Sequence, residues 1–156
     1  MYNKRKKCHK AYRRNEVKAY LRRYQDALKD IEYLSERKNA IEDKLFSSGL
    51  IAKYGLNEAS VSKNIKSDNR KEKLLTNLLS QKMAIEVKME VAEKICLEVE
   101  RLIDTSCSPQ NGLVLSCHYI LDLPFTMVAE QLSLAYPTVL KAHRLGVEEI
   151  IKGGFI

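Results

Sequence analysis

The sequence predicts an all-α fold, in which a long antiparallel helical hairpin is followed by a carboxy-terminal unit of three short helices. Two long segments place apolar residues at intervals of three, four and seven, as one face of an α-helix requires. The 156-residue chain contains only three Pro and six Gly, so few positions interrupt helical structure. Near the carboxy terminus the apolar groups become short and alternate with turn-forming residues, which predicts short helices there.

The amino-terminal end carries all of the net positive charge. Residues 1–29 contain eleven Lys and Arg and two acidic residues, a net charge of +9, whereas the rest of the chain sums to −2. We interpret residues 1–15 as a basic arm that neutralises DNA phosphates with release of counterions. A solvated tail without a fixed partner explains the charge equally well. The first interpretation makes four side chains candidate DNA-binding residues: Lys4, Arg5, Lys6 and Lys7.

The first long helix is predicted from about Glu16 to Phe46. Its apolar residues are separated by three, four and, once, seven positions, and Lys38 lies in the longest gap. This spacing produces a narrow apolar seam of the coiled-coil kind, which needs a partner helix. The residues of the seam are Val17, Leu21, Tyr24, Leu28, Ile31, Leu34, Ile41 and Leu45.

A second long helix, from about Arg70 to Asp104, supplies that partner. A polar loop, residues 47–69, connects the two helices, and Ser67 or Asp68 can cap the second one. We expect the two seams to close on each other as an antiparallel hairpin, residues 16–106. The second seam repeats every seven residues, with three further residues beside it: Leu78, Ile85, Ala92 and Val99, then Met89, Ile95 and Leu102.

Some apolar residues of the second helix lie off its seam. Leu74, Leu79 and Ile103 are left over when the hairpin is closed. A second copy of this chain is therefore a candidate partner, and a homo-oligomer would form through the long helices.

A third domain is predicted over residues 107–156. Serine and proline end the second long helix, after which Ser108 can cap a new helix with Pro109 at its first position. The segment from Gly112 to Leu121 is strongly apolar. We expect it to form a helix that supports the two helices following it.

Those two helices match a helix-turn-helix over the thirty residues 121–150. Val128, Ala129 and Leu132 lie on one face of a short helix, which Thr126 can cap through its hydroxyl group. Ala129 is small where the two helices approach each other most closely. A larger residue there would cost on the order of 1–3 kcal/mol through overpacking.

The second helix of the pair has distinct inner and outer faces. Leu134 fills the turn, while Val139 and Ala142 form the inner face. The outer positions are available to a DNA major groove. A plain helical hairpin in an all-α domain explains part of the pattern as well. The candidate DNA-binding residues of this region are Thr126, Tyr136, Pro137, Thr138, Leu140, Lys141 and Arg144.

This segment resembles the DNA-binding region four of bacterial sigma factors and, more closely, the small phage and prophage late-transcription regulators of the ArpU/RinA type. The resemblance runs without a gap over the thirty residues, and the layout of two long helices and a loop before them is similar more weakly. The matching residues are Leu123, Val128-Ala129-Glu130, Leu132, Leu134, Ala135, Tyr136, Pro137, Thr138 and Val139.

Two residues depart from the family pattern. The family usually has Gly where Ser133 stands and Ser where Ala135 stands. The turn must therefore tolerate a side chain, and the second helix lacks its usual capping hydroxyl, a loss that typically costs ~1 kcal/mol. Pro137 offsets part of this loss, because it fixes φ in the first helical turn.

The resemblance implies a sequence-specific DNA-binding transcriptional regulator of phage or mobile-element genes, with RNA polymerase as a candidate partner beside double-stranded DNA. The alternative is a helical adaptor, or an RNA polymerase-binding protein that does not bind DNA by itself. Residues 107–156 favour the alternative in one respect, because their three basic and four acidic residues give a net charge of −1. Free-standing DNA-binding domains are usually basic.

The sequence gives little support to other classes of function. His9, His118 and His143 are scattered, and no P-loop, GxSxG or HExxH motif is present, so we expect neither an enzyme nor a cofactor. Cys8 and Cys117 each adjoin a histidine, a spacing unlike that of zinc ligands, and we expect no metal site. No apolar run approaches the roughly 18 residues of a membrane span. With no signal segment, we expect a reduced, cytoplasmic protein in a bacterial or phage-infected cell.

Overall fold

The computed structural model describes residues 2–47 and 69–154, with side chains for residues 11–47 and 70–154. Five α-helices and one π-helical turn occupy most of these two ranges, which contain no strand. The predicted all-α class is therefore confirmed. In chain order the elements are α1 (Tyr2–Ser47), α2 (Asn69–Ser106), α3 (Pro109–Leu115), the π turn (Ser116–Ile120), α4 (Phe125–Gln131) and α5 (Tyr136–Lys152).

The first helix is longer than the sequence predicted. It begins at Tyr2 rather than near Glu16, so that residues 2–15, expected as an arm ahead of the helix, belong to it. These residues contain no Gly or Pro and are rich in Lys and Arg, which are good helix formers. Residues 48–68 of the expected loop, including the candidate caps Ser67 and Asp68, lie outside the described residues.

Packing divides the chain into two compact units. One unit comprises Met1–Lys29 and Glu93–Ile156, and the other comprises Asp30–Ala92. The sequence pattern placed the division near residue 106, because local periodicity changes there. The observed division instead follows contacts that are distant in sequence, and it groups the first part of α1 with the short helices.

The unit of residues 30–92 is an antiparallel pair of helical segments. Lys38 Nζ lies 3.2 Å from a carboxylate oxygen of Glu86, and Lys82 Nζ lies 2.9 Å from one of Glu42. A step of four residues forward on α1 is thus a step of four residues back on α2. The long helices pack together here as predicted, and Lys38, in the gap of its seam, pairs across the interface. The core consists of Leu34, Ile41, Leu45, Leu75, Leu78 and Ile85.

The other unit joins the first part of α1 to the end of α2 and to the short helices. Val17 and Leu21 on α1 are fully buried, as is Val99 on α2. Tyr24 Oη donates a hydrogen bond of 3.0 Å to the carboxylate of Glu100. Four residues of the predicted seams are therefore buried in this unit: Val17, Leu21, Tyr24 and Val99.

Some residues differ from the predicted seams. Ala27 is buried where Leu28 was expected, and Leu28 is 38% exposed. Spacings of three and four admit either residue, so only the partner helix selects between them. Of the apolar residues left over for a second copy, Ile103 is buried, and Leu79 packs against the core of its own unit, residues 30–92. Of the three, only Leu74 is exposed, and a homo-oligomer through the long helices stays a prediction.

Candidate functional site

Helix α3 begins as predicted but is capped by a residue that the sequence did not indicate. Ser108 occupies the N-cap position and Pro109 the first turn, yet the Ser108 side chain makes no capping hydrogen bond. Instead the Glu149 carboxylate of α5 accepts hydrogen bonds from the Ser108 backbone N–H at 2.9 Å and from Asn111 Nδ2 at 3.0 Å. A carboxylate near the N-terminus of a helix is also favoured by the helix dipole.

The π turn connects α3 to α4 and is held by α1. Its backbone closes with a bond of 3.1 Å from Leu121 N–H to the carbonyl of Ser116, five residues earlier. Gln25 donates from Nε2 to the carbonyl oxygens of Tyr119 and Ile120, at 3.0 and 2.8 Å. The amide side chain thus satisfies carbonyl groups that the end of a helix would otherwise leave without partners.

Helices α4 and α5 close on one apolar cluster with α3 and the π turn. All six apolar residues that the sequence assigned to the helix pair belong to this cluster. Its buried members are Val114, Cys117, Val128, Val139 and Ala142, and its partly buried members are Leu123, Phe125, Ala129, Leu132 and Leu134.

One of these two helices begins as predicted and the other does not. Thr126 does not cap α4, because the helix begins at Phe125 with Pro124 at the N-cap and no side-chain capping bond. Helix α5 follows the prediction, since Ala135 is its N-cap without a capping side chain and Pro137 lies in the first turn.

The turn between α4 and α5 places a serine in the left-handed region. Ser133 has φ +52°, a conformation that costs a non-glycine residue roughly 1–2 kcal/mol. This is the position where the regulators named above usually have Gly. Its backbone N–H donates to the carbonyl of Glu130 at 3.1 Å, and Leu134 N–H donates to that of Ala129 at 2.9 Å, which holds the turn closed.

Ser133→Gly is therefore expected to stabilise the protein by about 0.5–1 kcal/mol. The relief of the positive φ exceeds the entropy that glycine loses on folding, which is ~0.5–1 kcal/mol. Urea denaturation followed by circular dichroism measures the change. Ser80→Gly, at an exposed site inside α2, is the control and should cost about 0.5 kcal/mol, because serine is an intermediate helix former and glycine a poor one. Equal losses in both variants would contradict the strain at Ser133.

The outer face of α5 near its N-terminus is accessible. Tyr136 is 46% exposed and Leu140 is 40% exposed. Thr126 on α4 is exposed too, whereas the side chains of Lys4, Arg5, Lys6 and Lys7 lie outside the description. The remaining candidate DNA-binding residues are all exposed: Pro137, Thr138, Lys141 and Arg144.

An aromatic group of four rings lies beneath that face. Tyr119 Oη and His143 Nε2 are 3.0 Å apart, and the rings of His118 and Phe125 stack with centroids 4.1 Å apart. Nδ1 of His118 lies 2.8 Å from the carbonyl oxygen of Leu123, which can only accept, so this nitrogen carries the proton. Burial, and then the charges of neighbouring cations, lower the pKa of His143 to about 4. This histidine is therefore a neutral core residue near neutral pH.

Two carboxylates of α5 are engaged inside the same unit. Glu148 forms an ion pair with Arg14 of α1. Glu149 accepts the hydrogen bonds at the start of α3 described above. Sequence reasoning counted both as surface charge, because no local pattern links them to partners so far along the chain.

Sequence reasoning also missed Gly146. A Cβ atom at this position would lie 2.8 Å from Leu115 Cδ1 and 3.1 Å from Leu115 Cγ, so α5 and α3 cross at the glycine. Leu115 is fully buried. A glycine inside a helical pattern was the available signal, because it usually has a packing reason.

In residues 2–47 and 69–154 no group of three His, Cys, Asp or Glu residues could hold a metal ion. Cys96 and Cys117 are buried, as expected of small apolar residues, and burial raises the pKa of both thiols. In the same ranges no helix is both long and apolar enough to cross a membrane.

No protein-family model, curated protein or solved structure matches the chain. The functional interpretation therefore depends on the residues of the site and their geometry.

Proposed function

We propose that this protein is a sequence-specific DNA-binding transcriptional regulator of phage or mobile-element genes. In this proposal α4 and α5 form a helix-turn-helix, α3 with the π turn supports them, and α5 enters the major groove of double-stranded DNA. The proposal is supported by the single apolar cluster that all six inner residues share, since their outer neighbours remain exposed. The resemblance to ArpU/RinA-type regulators supplies the class of target genes.

The observation that carries the proposal is the charge left on the outer face of α5. The net charge of −1 over residues 107–156 argued against DNA binding. Glu148 is neutralised by Arg14, and Glu149 is bound to the start of α3. The exposed charges in the first half of α5 are those of Lys141 and Arg144, both basic. A DNA backbone that approached this half of the helix would meet cations.

The proposal gives the outer residues different roles. Residues near the N-terminus of a recognition helix reach base edges, which assigns Tyr136 and Thr138 to the groove floor. Arg144 can form a bidentate contact with guanine, the commonest specific pairing. Thr126, at the start of α4, is assigned to a phosphate, because the first helix of such a motif crosses the DNA backbone.

Arg144→Ala and Lys141→Ala test this proposal. Selection of bound sequences from random duplexes first identifies a preferred site. Each substitution should then weaken binding to that site by on the order of 1–3 kcal/mol if the side chain reads a base, and should relax the preference at one base pair. Fluorescence anisotropy with the preferred and a scrambled duplex measures both effects.

Lys152→Ala is the matched control, because Lys152 is a basic residue in the last turn of the same helix, far from its N-terminus. It should leave the preference unchanged. Equal binding of every duplex by the unsubstituted protein would contradict sequence-specific recognition.

A helical adaptor that binds RNA polymerase is the second candidate. It is favoured by large apolar side chains on the surface of the carboxy-terminal helices, where Leu113 is 52%, Leu121 55% and Met127 47% exposed. Such side chains are typical of protein contacts when they form a patch. The adaptor interpretation is preferred if Leu121→Ser and Met127→Ser abolish binding to polymerase while Arg144→Ala changes binding to neither polymerase nor DNA.

A further inference from the structure

One face of α1 is turned toward the carboxy-terminal helices. Arg14, Lys18, Arg22 and Gln25 follow at intervals of four, four and three, which places them along one side of a helix. The two ends of this row have partners in the same compact unit. Arg14 pairs with Glu148 of α5, and Gln25 donates to the carbonyls of Tyr119 and Ile120 in the π turn. Lys18 and Arg22 lie between these two attachment points.

The ion pair of Arg14 with Glu148 gives the register of the row against α5 at one end. At the other end Gln25 bonds to Tyr119, whose hydroxyl oxygen lies 3.0 Å from His143 Nε2 of α5. The charge of Lys18 acts on the imidazole of His143, where it adds to burial in lowering the pKa. Arg14 is thus matched with Glu148 and Lys18 with His143, so that one turn forward on α1 is about one turn back on α5. The next turn brings Arg22 level with about Val139. The charge of Arg22 also reaches Tyr119 in the π turn, which agrees with this placement.

The two middle cations differ from Arg14 in having no carboxylate partner among the residues whose side chains the structure describes. Arg22 is exposed and Lys18 is half-buried. Neither forms an ion pair with any residue of the ranges 11–47 and 70–154. By this register they are assigned to the stretch of α5 from about Val139 to His143, which also carries Lys141. An anion that follows this edge of the unit would meet cations from two helices.

We propose that Lys18 and Arg22 of α1 form a phosphate-binding ridge beside α5, which holds the backbone of the duplex whose major groove α5 occupies. This inference rests on the proposed DNA-binding function and extends it to a segment outside the helix-turn-helix. The ridge gives affinity without sequence preference, because phosphates are alike along any duplex. It also explains how a carboxy-terminal region of net charge −1 binds DNA, since α1 supplies part of the positive surface.

Arg22→Gln and Arg23→Gln make a matched pair for the test. Both remove one arginine charge from an exposed position of the same helix, at consecutive residues. Arg23 is nine residues after Arg14, two and a half turns, and so lies on the opposite side of α1. Its guanidinium lies 5.0 Å from the centre of the Tyr20 ring. Only Arg22 belongs to the ridge.

The measurement is the salt dependence of binding by the full chain to the preferred and to a scrambled duplex. Arg22→Gln should lower the log–log slope by ~0.9, and the double variant with Lys18→Gln by roughly twice that, whereas Arg23→Gln leaves it unchanged. Affinity for both duplexes should fall by the same factor, roughly tenfold for the double variant. Thermal melting by circular dichroism checks that all variants remain folded.

Each outcome separates the ridge from the helix-turn-helix. If Arg22→Gln behaves like Arg23→Gln while Arg144→Ala loses sequence preference, the ridge is overturned and the proposed function stands. If Arg22→Gln weakens only the preferred duplex, the residue reads sequence and the phosphate role is wrong. If the unsubstituted protein binds no duplex, the proposed function fails and the ridge fails with it.

Discussion

Gly146→Val is expected to destabilise the carboxy-terminal helices by about 3 kcal/mol, the upper end of the usual cost of overpacking. A Cβ atom alone would lie 2.8 Å from Leu115 Cδ1, and valine adds two methyl groups to it. Leu115 is fully buried, so it has no solvent-filled space to move into. Relief requires α5 to move away from α3, which would also weaken the hydrogen bonds of Glu149 to Ser108 and Asn111.

Gly112→Ala is the control for this prediction. Its Cβ would lie 3.5 Å from Cys107 Cβ and 3.6 Å from Ile103 Cγ2, which are ordinary contact distances. Because alanine is favoured over glycine in a helix by ~1 kcal/mol, the variant should be as stable as the parent protein or more stable. Denaturation by urea, followed at 222 nm, compares the two. A Gly146→Val variant that unfolds at the parent's midpoint would show that the helices do not cross at this glycine.

Acidification from pH 6.5 to pH 4 is expected to lower the free energy of unfolding by about 2–3 kcal/mol through the protonation of His143 alone. Burial, followed by the charges of Lys18 and His118, lowers the pKa of this imidazole to about 4. The unfolded chain takes up the proton near pH 6.5, and the folded protein takes it up only near pH 4. The stability that depends on neutral His143 is therefore fully present above pH 6.5. It decreases as the pH falls and is lost below about pH 4.

His143→Gln isolates this contribution, because glutamine does not titrate and its amide can still bond to the Tyr119 hydroxyl. Carboxylates also take up protons below pH 5, so the quantity to measure is the difference in unfolding free energy between parent and variant across the range. As the pH falls, the unfolding free energy of the parent should decrease more than that of the variant. Lys18→Gln should raise the His143 pKa measured by NMR, since it removes a nearby positive charge. Parallel stability curves for parent and His143→Gln would contradict the buried neutral histidine.

Local periodicity determined much of this protein from sequence alone. The seven-residue repeat through Ile85 and Val99 identifies side chains that are buried in the structure, and Val128 and Val139 belong to the same cluster as the pattern indicates. The reason is that the apolar face of a helix follows from residues within a few positions of each other. The same applies to Pro137, whose place in the first turn of α5 follows from its fixed φ.

Tertiary structure alone decided which helices meet and where they meet. Arg14 reaches Glu148 and Gln25 reaches the carbonyl of Tyr119, across separations of 134 and 94 residues. Gly146 is required by the position of Leu115 on another helix, and Ala27 replaces Leu28 in the core although both fit the repeat. A periodic pattern states that a face is apolar, but the register and crossing of two helices depend on side chains of both. Those contacts select one arrangement only when the whole chain has folded.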